Sequence, residues 1–558
     1  MNIAALLTQP SPRRSAQTLS LRTLTALLFL AALSMTATAQ TGGVYKVTNL
    51  VSDGSVAAAV TDANFINPWA ISSSGTWWIA TAGTGYDYAI SSTTGAIGFK
   101  VIVPSAAAPN TANGFPAGSV TTGGATGMIL PAPNSTKANF LFSTLDGTIS
   151  GWNGKLGTAN ALSVVVINNS AAGASYPGLA IVNTATASYI LAPNFGTGNK
   201  IEIYDSTFKP TTLAGTFTDP ALPAGYAPFG IHVINNQVYV TYALRTAAAP
   251  YRTVDAVGNG VVDLFDISGN FISRVATGGN LDSPWGVAIA PANFGIFSND
   301  ILIGNFGNGH ISAYDPKTFA YQGQLTDGTG APLTYGSLWE LLPGGTTVGN
   351  TTAVSGGSTS NVYFTAGLAG EIHGLFGYIA NDSTATGTPS YGISTSAPVL
   401  AVTDGASAQA NIAIAPTYSF NGTVTFACSG LPVAASCTFS PSQVSAVSTL
   451  PTFTTVTIHT AKFTALLDPR VHHSAGIACA ILLPLNCMLA FSRRRRLAAN
   501  SPLRLFVLCG IMFASLGVIM GCADVPLPAS TPTGTSQVVV TGTSGSISQS
   551  TTISLTVK

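Results

Sequence analysis

Between residues 44 and 380 one unit recurs, and its periodicity limits the fold more than any other property of the chain. Its clearest copy is SPWGVAIAPANFGIFSNDILIGNFGNGHISAYD, residues 283–315. The unit opens on Pro284, Trp285, Gly286 and Val287 and runs into a short apolar strand. A second apolar strand follows at 300–304, then the turn Asn305, Phe306, Gly307, an alternating strand at 310–314, and a fourth strand at 319–325. Openings of the same kind stand at 67–71, 126–129, 176–179, 227–231 and 337–341, making six copies. They lie about 50 to 60 residues apart, a spacing that suits the four strands of a propeller blade. Val, Ile, Tyr and Thr alternate with polar residues, and Gly, Asn, Asp and Pro punctuate the runs, so the whole stretch reads as strand.

Six blades in a ring must be closed. The sixth copy has three strands and then runs into the polar stretch 380–389, while the apolar strand 45–51 precedes the first opening and belongs to no earlier blade. The expectation is that this N-terminal strand is the outer strand of blade six, fastening the ends of the ring by hydrogen bonds. No cysteine lies in the ring, so inter-blade packing must hold it, with Trp69, Phe229, Trp285 and Trp339 expected as wedges between blades. With NLVSD, DANFINPW, SPWGVAIAP, GNGVVDLFD and ILIGNFGNGHISAYD, residues 44–380 resemble NHL-like six-bladed β-propellers, and within them an uncharacterised family of secreted bacterial proteins. The resemblance implies the fold and carries no activity.

Charge then narrows the partners. Only 7% of residues are charged, against about 25% in an average soluble domain, and the net charge is +1. No long-range field steers a polyanion, which argues against nucleic acid. Residues 1–39 read as a secretory signal peptide: Arg13, Arg14 and Arg22, an apolar core at 24–33, and Ala37, Thr38, Ala39 as the cleavage site.

Beyond the ring, 381–397 reads as a Ser/Thr/Gly/Pro linker. Strands then follow in 398–462, where FNGTVTFACSGLPVAASCTFSPSQV is similar to bacterial Ig-like modules, and Cys428 and Cys437 are expected to form a disulfide. Two apolar runs, 474–491 and 503–521, flank the Arg-rich loop 492–502 and read as transmembrane helices with that loop on the cytoplasmic side. Residues 530–558 carry two more strands, expected to complete the sandwich across the membrane hairpin. The expected whole is all-β: a six-bladed β-propeller plus a small Ig-like β-sandwich, with two transmembrane helices. It would be exported and tethered to the cell membrane, the propeller facing the periplasm or cell exterior.

The chemistry is sparse. The expected channel mouth is the end where each first strand begins, and it gathers Asn67, Asp146, Asn194, Arg245, Arg252, Asn305 and Glu340 as candidate ligand-binding groups. Glu340 is the sole carboxylate at a blade opening, in the place that Gly286 takes in blade five. One reading makes the ring a binding or scaffold module for a protein, glycan or small molecule, with no catalytic residues. The alternative is a hydrolase or lyase holding a divalent cation such as calcium on Glu340 and Asn67, where it would polarise an ester carbonyl. His232, in the first strand of blade four, reads as a core histidine or a channel-lining base. No zinc spacing, phosphate loop or serine-nucleophile elbow is present.

Overall fold

A computed structural model describes residues 43–109, 113–347, 349–350, 353–447, 450–462 and 530–558. The signal peptide expected at 1–39 lies outside them. Six antiparallel sheets follow one another along the chain and close into a ring, since each inner strand contacts the next and that of blade six contacts that of blade one. The inner strands are Pro68–Ser73, Pro116–Thr121, Ala180–Asn183, Tyr226–Ile234, Pro284–Ile289 and Leu338–Pro343. Blade three has only three strands, and blade one gains a fifth from Ala159–Leu162, which pairs parallel to Ile97–Ile102.

Closure follows the expected pattern. Tyr45–Ser52 pairs antiparallel with Leu375–Asn381, from Tyr45 opposite Asn381 to Ser52 opposite Leu375. Side chains add to the clasp: the Tyr45 hydroxyl donates to the Phe294 carbonyl at 2.9 Å, and His373 Nδ1 meets Asp53 Oδ2 at 2.6 Å. Blade two departs from the sequence reading. Its inner strand begins at Pro116, and 126–129 falls in the connection that follows, where Met128 adopts φ 57° and donates its amide to the Ser206 carbonyl. A Gly followed by two apolar residues imitates an opening, but Phe115, Pro116, Ala117 and Gly118 carry it.

The second region is a two-sheet sandwich. One sheet is ordered Ser390–Thr395, Ser407–Thr417, Thr452–His459, Ser436–Ser440; the other Val399–Val402, Ile547–Val557, Gly534–Ser544, Gly422–Ser429, Gln443–Ala446. Ser390–Thr395 had read as linker and is instead an edge strand paired with Ile412–Thr417 residues. Strands from both sides of 463–529 therefore share one sheet, and Ile412, Ile414 and Ile458 bury against Val538, Val540 and Leu555. The Cys428–Cys437 disulfide ties the two sheets together.

The expectation of two transmembrane helices is corrected. Among the described residues no helix is long and apolar enough to cross a membrane. Among the described residues the one α-helical segment is the single turn Leu368–Glu371, and their backbone is paired mainly in sheets instead. The runs 474–491 and 503–521 lie outside the described residues, so membrane anchoring via two helices and a membrane-embedded localisation lose their support.

Candidate functional site

Each inner strand begins at one end of the channel and finishes at the other, and the two ends differ in kind. At the starting end Trp69, Phe229, Trp285 and Trp339 converge into one buried cluster with Phe195 and Phe306. Trp69 and Trp339 stack with centroids 3.4 Å apart, and Phe306 stacks on Trp339 at 4.4 Å. Trp69 of blade one meets Phe229 of blade four edge-on at 6.3 Å. Those blades stand opposite each other in a six-fold ring, so their rings can only meet on the axis. The opening aromatics are thus a plug in the channel, where the sequence suggested separate wedges.

The expected mouth residues surround this plug, and most are committed to local bonds. Asn67 accepts the Trp339 indole N–H at 3.0 Å and donates to Glu371 at 2.7 Å. Asp146 accepts from the Ala106 amide at 2.7 Å and from the Thr144 hydroxyl. Asn194 takes the amides of Ser175 and Gly196 and donates to Glu202. Arg245 donates to the carbonyls of Phe195 and Gly196 while lying 4.2 Å from the Tyr251 ring centre. Arg252 bonds the Tyr251 carbonyl, and buried Asn305 donates to the Asn280 carbonyl and to Asn308. These contacts order turns and seat the plug.

Glu340 alone faces elsewhere. At the matching place in blades two, four and five stand Gly118, Gly230 and Gly286, where the strand presses on the next blade. A Cβ on Gly286 would lie 2.3 Å from the Trp339 carbonyl oxygen, and one on Gly230 would lie 2.4 Å from that of Trp285. The backbone role is shared, since the Gly230 amide donates to the Thr241 hydroxyl as the Glu340 amide does to that of Thr365. The Glu340 carboxylate reaches His232 Nδ1 at 3.3 Å and accepts its neighbour's amide, Leu341 N, at 3.1 Å. His232 Nε2 stands 2.8 Å from the Trp285 carbonyl, so one imidazole joins blades four, five and six. Burial would push its pKa down, but the Glu340 charge and the hydrogen bonds to Glu340 and Trp285 outweigh that and hold it above the ordinary value. Both ring nitrogens face acceptors, and the raised pKa favours the protonated imidazole, in which neither nitrogen keeps a lone pair to act as a base.

This pair lies in a cavity of about 630 Å³ at the finishing end of the inner strands, which all six blades line. Its rim includes the hairpin turn Asn235, Asn236, both in the left-handed region (φ 52° and 59°) that a two-residue turn of this type requires. A strap between the first two strands of blade six, described at 344–347, 349–350 and 353–360, crosses the same end. Asn350 on it and Asn183 of blade three exchange three hydrogen bonds of 2.8 to 3.0 Å. The Gly75 amide of blade one bonds the Val354 carbonyl at 3.1 Å. On the opposite wall the Ser72 and Ser119 hydroxyls pair at 2.9 Å. Behind them Asp87 is fully buried with neither carboxyl oxygen in a well-formed hydrogen bond, so burial drives its pKa well above the usual carboxylate range.

Sequence reading missed Ser72, Ser119, Asn183 and Asn350 altogether. The available signal was the Glu at a place where other blades carry Gly. A divalent cation does not fit the proposed donors: Glu340 is paired with the His232 imidazole at 3.3 Å, and Asn67 is spent on Trp339 and Glu371 in the plug. Among the described residues no group of three or more His, Cys, Asp or Glu could hold a metal ion.

No family model matches the chain. It is 28% identical over 355 residues to one uncharacterized protein of Acanthamoeba polyphaga mimivirus, covering 61% of this chain and 80% of that one. A second uncharacterized mimivirus protein is 27% identical over 355 residues, covering 61% and 86%. Among solved structures, the PQQ-bound aldose sugar dehydrogenase from Streptomyces coelicolor aligns over 61% of this chain and 99% of its own, at 12% identity and a TM-score of 0.35. That score carries no argument, and the ring stands on its own strand pairing. The expected kinship with secreted bacterial propellers and Ig-like modules finds no support in these comparisons.

Proposed function

We propose that the chain is a binding protein whose ring holds a small molecule in the cavity at the finishing end of its inner strands. The observation that carries this reading is the asymmetry of the channel. One end is filled by the protein's own aromatics, while the other keeps a space in the range usual for small-molecule sites, about 300 to 1,000 Å³. Binding is favoured over catalysis because the one histidine among the cavity's described residues has both nitrogens engaged, by the Glu340 carboxylate and the Trp285 carbonyl. Thermal unfolding of the full chain against a collection of small molecules tests the reading. Compounds that raise the ring's Tm, and that lose this effect when the exposed rim residue Ala292 is changed to Trp, support it. A collection that yields none sensitive to Ala292→Trp would overturn it.

A further inference from the structure

The cavity's lining also limits what chemistry it can accept. Among the described residues its only titratable side chains are His232 and Glu340, which pair with each other at 3.3 Å. No Lys, Arg or Asp among the described residues lines it, so an ionic ligand would leave water without finding a free counter-charge. No Phe, Tyr or Trp among the described residues lines it either, which leaves flat rings without a stacking partner. The walls mix polar groups with aliphatic side chains, the latter including Ile181, Val233, Ile289 and Leu342, from blades three to six. Besides the rim's Asn and Thr side chains, hydrogen-bonding groups stand at the His232–Glu340 pair and the Ser72–Ser119 hydroxyls.

We infer that the cavity takes an uncharged molecule with an aliphatic or alicyclic body and a hydroxyl or carbonyl head, seated against the His232–Glu340 pair or the serine hydroxyls. The inference rests on the binding reading above and assigns it a ligand class. Glu340 accepts a hydrogen bond from a hydroxyl head, and the serine hydroxyls donate to a carbonyl. Apolar contact with the four aliphatic walls supplies the affinity, while the paired charges disfavour anions and cations alike.

The test uses the full chain at neutral pH and two bodies, each with three heads. 1-Octanol is compared with octanoate and octylammonium, and cyclohexylmethanol with its carboxylate and ammonium counterparts, by isothermal titration calorimetry. The alcohols are expected to bind, their charged counterparts at least about ten-fold more weakly, and Ala292→Trp to weaken the alcohols by a similar factor. A charged member that binds as tightly as its alcohol would overturn the assigned class while leaving the cavity as a ligand site. Absence of binding by all six, or alcohol binding untouched by Ala292→Trp, would overturn the class and the site together.

Discussion

Changing Glu340 to Gln isolates the physics of the cavity floor. The substitution keeps the side chain's shape and one carbonyl acceptor but strips the counter-charge from an imidazole that is about nine-tenths buried. Below the ordinary histidine pKa His232 is protonated in folded and unfolded chains. The folded variant must then hold an unpaired buried cation, and breaking such a pair costs about 3–5 kcal/mol. The lower end applies here, because both side chains keep 8–9% of their surface exposed. The folded His232 pKa is raised, so the pair's contribution is complete below about pH 6.5 and is lost as pH rises through the folded value. In alkali the imidazole is neutral in the variant, and the loss shrinks to roughly one hydrogen bond, about 1 kcal/mol. All six tryptophans lie in the ring, at 69, 77, 78, 152, 285 and 339. Denaturant titration followed by their fluorescence therefore reports the ring and leaves the sandwich silent. The expected result is a large drop in stability at pH 5.5 and a small one at pH 9. Equal losses at both would refute the charged-pair reading and reduce His232 to a neutral core side chain.

Trp339→Ala should cost about 3–5 kcal/mol in the same assay, because it empties the centre of the plug and strands the Asn67 carboxamide; a loss under 1 kcal/mol would mean that the plug carries little of the ring's stability. Burial and the Asp315 charge push Asp300 up to about 7, and burial and Asp255 push Asp282 up to about 6. Raised carboxyls favour the folded state in acid and lose that advantage as pH climbs from about 4 through these values. The ring's Tm should accordingly fall between pH 5 and pH 8, and Asp300→Asn should flatten the fall. Asp62, Asp205 and Asp266, held below the usual range against their burial by hydrogen bonds, reverse the trend under pH 4. Reduction of Cys428–Cys437 opens a loop whose ends are nine residues apart, a loss of about 2–3 kcal/mol by loop-closure entropy. Scanning calorimetry should show it as a lowered sandwich transition beside an unmoved ring transition, and a shift of both would mean the two regions unfold together.

What the sequence determined alone was the blade count, the strands and the borrowed N-terminal strand, because these rest on local signals. Alternation of period two, turn residues and Pro-aromatic openings are written within a few positions of each other. Even there a local mimic misled, as 126–129 stood in for the opening at Pro116. The length of an apolar run and an arginine cluster suggested spans at 474–491 and 503–521, yet no described helix is of membrane-crossing length. Tertiary structure alone decided which end of the channel is filled. Trp69, Phe229, Trp285 and Trp339 look equivalent in the repeat, and only closing the ring brings blades one and four near enough for them to meet. His232 and Glu340 are 108 positions apart in the chain, and a pattern that records faces and turns holds no information about which side chains from separate blades share a floor. The site depends on that juxtaposition, which exists once six sheets close into a circle.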